Sequence, residues 1–546
     1  MEPEEIILQA AVHGEHAGVY CLGPDVGRVS FVSQQYRALN LVWALARQKA
    51  FGPGDRIAIV GAGLSGLTAA TACLAYDAHV TVFDAGVIEV PRQDSTTIRY
   101  IHPKINWWPS RDDDTLNPTT DLPFLNWHCN NCADVVRQVK DTWDKLKTVY
   151  GTDLCLRFRH RMERISNAYH DRQPILHFSN GDGEAFKLVI LAVGFGQEKP
   201  HPEGDAFKDI FQTSQYWEND NLEHERNQNE RQNFIVSGFG DGGLIDVMRL
   251  AFKSNSGYLA YELALELEHP ILKPELGRLI ADDGSDVLTG YRELARKICF
   301  AREDYQKAGE EERLRLQPYL GASDLVHQRI MPIRVPFIYA VDFKFRHPCY
   351  GEAAPIYKLM SCIIELLDVA IFHRGKVTCL AADAGGRRRK TSRASEIYID
   401  YEDEAGTPRR LNFEIARTRV IVRHGAEAAI KAFMSEKTYS TTAGAKERAK
   451  LYNFKPAWRK PGDSKDPYIV PRGLGSRYAD LPSYVEKHYE RALTALKMLN
   501  FQGWLMAIVE KYVVIGHKPH YRPSHLYGVE VDYRGLNDIR SLRIDD

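Results

Sequence analysis

Three glycines and an acid, Gly61-x-Gly63-x-x-Gly66 with Asp84 downstream, form the constellation in this chain that speaks most directly to chemistry. They lie in RIAIVGAGLSGLTAATACLAYDAHVTVFDA, where an apolar strand (Ile57 to Val60) enters the glycine turn and a small-residue helix leaves it. Gly61 permits the tight turn, Gly63 lets the backbone approach a pyrophosphate, and Gly66 lets the helix pack against the strand. Leu64 and Ser65 open that helix, whose free N–H groups face an anion. A second strand (Val80 to Phe83) ends in Asp84 and Ala85, about 20 residues on, where a carboxylate accepts a ribose hydroxyl. This pattern predicts a bound dinucleotide.

The elements that must position these residues can be read on either side. Residues 31–54 read as a helix with an apolar stripe (Ala38, Leu41, Val42, Leu45) stopped by Gly52-Pro53-Gly54. Another apolar strand, LVILAVGFG, ends in Ala192-Val193-Gly194. A second strand-turn-helix follows near residue 233, with Gly238-x-Gly240-x-x-Gly243 after the strand Phe234 to Val236. Roughly 80 charged, helical residues separate it from the next strand, RVPFIYAVDF. Strands recur over 376–423, broken by the basic loop GGRRRKTSR, and the last 75 residues read as helical and then irregular.

The order of first glycine motif, apolar strand with a small-x-Gly turn, and second glycine motif resembles the two-dinucleotide-binding flavoproteins. The resemblance implies an α/β fold with a Rossmann-type FAD-binding domain and an inserted, atypical second dinucleotide-binding unit carrying helical insertions. It implies FAD at Gly61, Gly63, Leu64, Ser65, Gly66, Asp84, Ala85 and Gly194, and NAD(P)H at Gly238, Gly240 and Gly243; the alternative for GFGDGG is a structural strand-helix turn without nucleotide. Val193 stands where the family usually has Thr. Residues 207–217, FKDIFQTSQYW, align with the FxGxxxHxxxW pattern of flavin-dependent monooxygenases. Phe207 and Trp217 match it, whereas Asp209 and Thr213 replace the glycine and the histidine. ARTRVIVRHG resembles a second such turn passing near the flavin, which makes His424 the candidate catalytic residue; the alternative is a strand-end histidine held by backbone. If Phe337 to Val341 is the displaced second strand of the inserted unit, Lys344 and Arg346 are placed for a 2′-phosphate and favour NADP.

The expected domains are an N-terminal extension (1–55), the first part of an FAD-binding domain (56–232), an NAD(P)-binding unit with its helical insertion (233–375), a return of the FAD domain (376–470) and a helical C-terminal extension (471–546). The expected function is an FAD-dependent oxidoreductase, reduced by NAD(P)H and passing electrons to oxygen or an organic acceptor, as monooxygenases do. The alternatives are an amine or amino-acid oxidase without nicotinamide, and a non-catalytic nucleotide-sensing or assembly protein on a flavoprotein frame.

Composition bounds the partners. The 546 residues are 44% hydrophobic and 26% charged with a net charge of −1, which excludes a polybasic nucleic-acid or membrane-surface binder. No apolar run reaches the ~20 residues of a membrane span, and the acidic start MEPEEIILQ lacks signal-peptide order. Nine cysteines, odd in number and scattered, lead to the expectation of reduced thiols and a cytoplasmic protein with a small-molecule substrate. A homo-oligomer or a protein partner met through the helical insertions is also compatible. Cys129 and Cys132 read either as a redox pair at a helix start or as packed thiols; zinc lacks a second ligand pair there. Ser95, Thr96 and Thr97 could bond a pyrophosphate and Arg99 or His102 could face a flavin edge; otherwise RQDSTTIRYIHP is a surface loop. Trp107, Trp108 and Trp127 read as core or wall residues, and Arg387 to Lys390 as a solvated hairpin tip.

Overall fold

The computed structural model describes residues 30–425 and parts of 7–22, apart from short internal stretches, the longest being 199–210, 278–286, 331–336 and 382–393. The expected C-terminal extension, the basic loop Arg387 to Lys390, and Phe207, Asp209 and Thr213 of the monooxygenase-like pattern lie outside the described residues.

The apolar run RIAIV becomes β2 (Arg56–Val60), and LVIL becomes β10 (Leu188–Leu191) with all four residues buried. Near-continuous apolar strands of this kind suit a parallel sheet covered on both faces. With β1 (Val19–Cys21), β3 (His79–Asp84) and β6 (Leu154–Phe158) they form a five-stranded parallel sheet in the order β1-β10-β2-β3-β6. Val60 is in register with Leu191 on one side and Phe83 on the other. The Gly61 turn, Ala192 and Asp84 therefore leave the sheet at one level.

Helix α1 (Phe31–Arg47) begins in a capping box between Ser30 and Ser33 and packs along α2 (Leu64–Ala75). β1 adds an edge strand to this sheet and α1 covers it beside α2. Gln35, fully buried on α1, donates to Leu125 O (3.0 Å) and accepts from Trp127 Nε1 (2.8 Å). These bonds fix the Trp-containing loop against the helix. Two short strands, β4 (Tyr100–Ile101) and β5 (Asn130–Asn131), pair before α3 (Cys132–Tyr150). A three-stranded antiparallel meander, β7 (Met162–Asn167), β8 (Pro174–Phe178) and β9 (Gly183–Ala185), precedes β10.

The second sheet has seven strands in the order β11-β17-β12-β13-β14-β15-β16. Its parallel part is β11 (Phe211–Gln212), β17 (Thr418–Val422), β12 (Asn233–Ser237), β13 (Phe337–Asp342) and the first half of β14 (Ala370–Ala381). The rest of β14 pairs antiparallel with β15 (Ala394–Glu402), which pairs with β16 (Pro408–Glu414). This corrects the sequence reading of 376–470: its described strands do not return to the first sheet. β17 lies beside β12, with Val236 opposite Ile421.

The crossover from β12 to the parallel β13 is long. It carries α5 (Asp241–Ala251), α6 (Ser256–Glu266), α7 (Val287–Lys307), α8 (Glu310–Leu316) and α9 (Leu320–Arg329). Buried faces of α5, α6, α7 and α9, including Leu263, Leu294 and Ile298, share one core with α10 (Pro355–Leu366) and β13. Ile105 and Trp108, from the first unit's sequence, lie in that core as well. Connector helix α4 (Leu222–Asn227) packs on α5.

Candidate functional site: two matching glycine turns

Gly61 has φ +112° and donates from its N–H to Phe83 O (2.7 Å), which turns the chain sharply off β2. A Cβ at Gly61 would overlap Ala192 O, and one at Gly66 would overlap Gly61 O. Gly63 is different. It has the ordinary angles φ −73°, ψ 174° as the N-cap of α2, and a Cβ there would meet nothing within 4 Å. Gly61 and Gly66 are therefore demanded by the fold, whereas Gly63 borders open space at a helix N-terminus. No acid lies in the first turn of α2, and Leu64 is buried while Ser65 is half-buried. The Asp84 carboxylate accepts from Ala62 N (2.7 Å) and Gly86 N (2.6 Å), and Ala85 is exposed beside it. Each carboxylate oxygen keeps further acceptor capacity for a ribose hydroxyl. Gly194, at φ +73°, ends the neighbouring strand.

The second turn repeats this arrangement. Gly238 has φ +118° and donates to Val341 O (2.8 Å), and a Cβ at Gly243 would overlap Gly238 O. Gly240 is the N-cap of α5 and open within 4 Å. Asp342 takes the place of Asp84, accepting from Phe239 N (3.1 Å), Lys344 N (2.8 Å) and Phe345 N (3.0 Å). Arg423-His424-Gly425 takes the place of Ala192-Val193-Gly194: a Cβ at Gly238 would overlap Arg423 O, and Gly425 has φ +78°. His424 accordingly belongs to the second turn, where its Nε2 lies 2.8 Å from Ser237 Oγ and its ring 6.5 Å from that of Phe343. The expectation that it sits at the first unit's cofactor is corrected by the pairing of β17 with β12.

The two turns differ at the helix start. Asp241 is the first residue of α5, and its carboxylate accepts from Ala354 N (2.7 Å), the N-cap of α10. Sequence reading passed over both Asp241 and Asp342. Asp342 could have been found by asking for the acid at the end of the displaced strand; Lys344 and Arg346, chosen instead, are exposed two and four residues beyond it.

The segment after Asp84 is tied to the connector and α5. Arg99 is almost fully buried and is ion-paired with Asp246 of α5, its Nε donating to Tyr216 O (3.0 Å). Asp246 also receives Arg249 Nη1 (2.9 Å) and Arg423 Nε (2.8 Å). Arg249 in turn makes paired bonds to Asp220 (2.7 and 3.0 Å) and Glu223 (both 2.6 Å). Burial alone would raise the Asp246 carboxyl, but the three guanidinium groups prevail and hold it well below the usual carboxylate range. Burial pushes the Tyr216 hydroxyl, beneath Arg99, up to about 12. Thr96 Oγ1 bonds Trp217 O, and Thr97 N bonds Asn219 Oδ1 (2.9 Å). His102 is buried against Tyr261 with ring centroids 4.5 Å apart, and desolvation lowers its pKa to about 3. The segment clasps the first unit to the connector and α5.

Cys129 and Cys132 are both buried; Tyr100 OH lies 3.0 Å from Cys129 Sγ, and burial pushes the Cys132 thiol up. A raised, buried thiol is the opposite of an activated redox cysteine. Trp108 and Trp127 are core residues, and Trp107 stacks on Tyr36 at 6.2 Å. Among the described residues no helix is long and apolar enough to cross a membrane.

Residues 59–87 match the family of NAD(P)-binding Rossmann-like domains. This stretch folds as a Rossmann-type strand-turn-helix-strand unit. Its α/β architecture, with a second glycine turn of the same geometry on a second parallel sheet, agrees with the two-dinucleotide-binding arrangement expected from the sequence. Solved structures similar to the chain include a bacillithiol disulfide reductase from Staphylococcus aureus (8% identity, 70% of this chain and 80% of that chain, TM-score 0.36). A thioredoxin reductase from T. acidophilum (10% identity, 72% and 96%, TM-score 0.32) and a closed cyclohexanone monooxygenase (14% identity, 37% and 36%, TM-score 0.25) are others. No curated protein sequence matches the chain.

Proposed function

We propose that this chain is an FAD-dependent oxidoreductase in which the first glycine turn holds FAD and the second holds a reduced nicotinamide dinucleotide. The observation that supports it most is the repetition of one construction: positive-φ glycine, open N-cap glycine, close-packed glycine, and an acid ending the next strand. The first turn fits a dinucleotide, because the space before Gly63 is open and Asp84 retains acceptor capacity. Gly61, Gly63, Leu64, Ser65 and Gly66 would then surround the pyrophosphate, with Asp84 and Ala85 at the ribose and Gly194 on the neighbouring strand. Bound flavin supplies the electron chemistry; the chain's residues bind, orient and shield it. At the second turn, Gly238, Gly240 and Gly243 play the same part. Asp342 favours a ribose with a free 2′-hydroxyl, and so NADH, since its carboxylate repels a 2′-phosphate. His424, held by Ser237, would meet the nicotinamide-bearing ligand at that mouth. The acceptor of the electrons, oxygen or an organic compound, is the next thing to identify.

One observation favours a second reading. Asp241 places a carboxylate in the first turn of α5, where a pyrophosphate would otherwise meet only N–H groups. An oxidase that draws electrons from an amine or amino acid and leaves the second turn without nucleotide would tolerate that acid. An anaerobic visible spectrum with NADH and NADPH decides. Bleaching of a flavin band by NADH supports the main reading, and a flavin that stays oxidised with both but bleaches with an amine supports the second. A chain that cannot be loaded with FAD would refute both.

A further inference from the structure

A cluster outside both glycine turns combines the residue types that hold soft metal ions. β13 leaves the second sheet into a loop whose short 3-10 turn (Pro348–Tyr350) presents His347 and Cys349, two residues apart. Cys362 comes from α10, the helix that follows. One ligand atom from each of the three lies within 4.8 Å of the others, and all three residues are buried, at 2%, 2% and 0% exposure. The two Sγ atoms are 3.5 Å apart. Thiolates on one tetrahedral ion, each about 2.3 Å from it, stand roughly 3.7 Å apart, whereas a disulfide requires about 2.05 Å.

The imidazole is held between the turn and α10. Nδ1 accepts from Cys349 N (3.2 Å), so it is unprotonated, and an ion bound at this nitrogen would displace that hydrogen bond. Nε2 faces Glu365 Oε2 across 3.5 Å, too long for a good hydrogen bond, and is otherwise without a partner in the core. Glu365 is itself clamped by Arg292 Nε and Nη2 (3.1 and 2.9 Å). A carboxylate behind a histidine fixes its tautomer and ring plane at metal centres.

We propose that His347, Cys349 Sγ and Cys362 Sγ bind one thiophilic d10 metal ion, Zn2+ or Cu+, with Glu365 and Arg292 as the groups that orient His347. Binding exchanges two thiol protons, released to solvent, for the ion, and involves no change of oxidation state. The ion would tie the loop after Asp342 to α10, whose N-cap N–H donates to Asp241. The site is separate from the nucleotide assignment and does not depend on it.

The test uses the full chain, reduced and stripped with a chelator, then titrated anaerobically with Co2+ as the spectroscopic probe, with Zn2+ in competition, and with Cu+ against a chromogenic competitor. One equivalent of Co2+ displaying thiolate charge-transfer and tetrahedral ligand-field bands, displaced by Zn2+, is the expected result for a zinc site. One equivalent of Cu+ without tight Co2+ or Zn2+ binding assigns copper. C349S and C362S are each expected to lose the bands or the copper equivalent, and C129S to retain them. E365Q is expected to weaken binding about 10- to 100-fold. Thermal unfolding of the metal-free variants, compared with metal-free wild type, identifies any that fail to fold, and E365Q keeps the test open if a cysteine variant does. Absence of a stoichiometric ion from the reduced chain, or binding unchanged in folded C349S, C362S and E365Q, overturns the proposal.

Discussion

Adding a single methyl group at Gly63 separates what the fold needs from what a ligand needs. The backbone at Gly63 (φ −73°, ψ 174°) is one that alanine adopts freely, and the new Cβ meets nothing within 4 Å. The cost to stability of Gly63→Ala is therefore the small preference of an N-cap for glycine over alanine, below about 1 kcal/mol. The same methyl points into the space where a pyrophosphate would approach the first N–H groups of α2. Losing one charge-assisted bond to that anion costs about 1.5–3 kcal/mol, or roughly 10- to 100-fold in Kd. Gly66→Ala is the contrasting control: its Cβ overlaps Gly61 O, backbone against backbone, so it must displace the helix and destabilise the chain. FAD titration of apo-protein by flavin fluorescence, beside urea unfolding, measures both quantities. A Gly63→Ala protein that is stable and binds FAD like wild type would refute the assignment of this turn as the anion site. Gly240→Ala, open in the same way, should act likewise on NADH and leave FAD binding intact.

Three further outcomes are expected. Asp246→Asn removes the carboxylate shared by Arg99, Arg249 and Arg423, leaving buried guanidinium charge uncompensated, and should cost about 3–5 kcal/mol in guanidinium unfolding; a loss below 1 kcal/mol would mean that the clasp is energetically a surface feature. His102 titrates near 6.5 when unfolded and at about 3 when buried, so the unfolded chain takes up its proton first as pH falls. Its contribution is fully present above about pH 6.5 and declines by about 1.4 kcal/mol per pH unit down to pH 3; His102→Phe should flatten that part of the stability profile, read from urea midpoints. Asp342→Asn should raise the rate of flavin reduction by NADPH relative to NADH by about tenfold, equivalent to ~1.4 kcal/mol, in anaerobic stopped-flow, and an unchanged ratio would remove Asp342 from coenzyme selection.

Both glycine turns were legible in the sequence because their demands are local. Within a few residues, a strand must end, the chain must reverse at positive φ, and a helix must start against the same strand, and only glycine satisfies the contacts at Gly61, Gly66, Gly238 and Gly243. Helix α1 was legible for a similar reason, its apolar stripe and its stop being set by neighbours in the chain. Non-local pairing had no such signature. The strand ending at Val422 has the same apolar pattern whichever sheet it joins, and only its pairing with β12, Ile421 opposite Val236, puts His424 at the second turn. Arg99 looked like a polar loop residue until Asp246, 147 positions away, was brought to it. His347, Cys349 and Cys362 likewise had no spacing to announce them, because a helix supplies the last ligand at an angle that chain order does not encode. Local sequence dictates where the backbone makes a glycine turn from strand to helix; which distant charges and thiols meet depends on how helices and sheets pack across the whole chain.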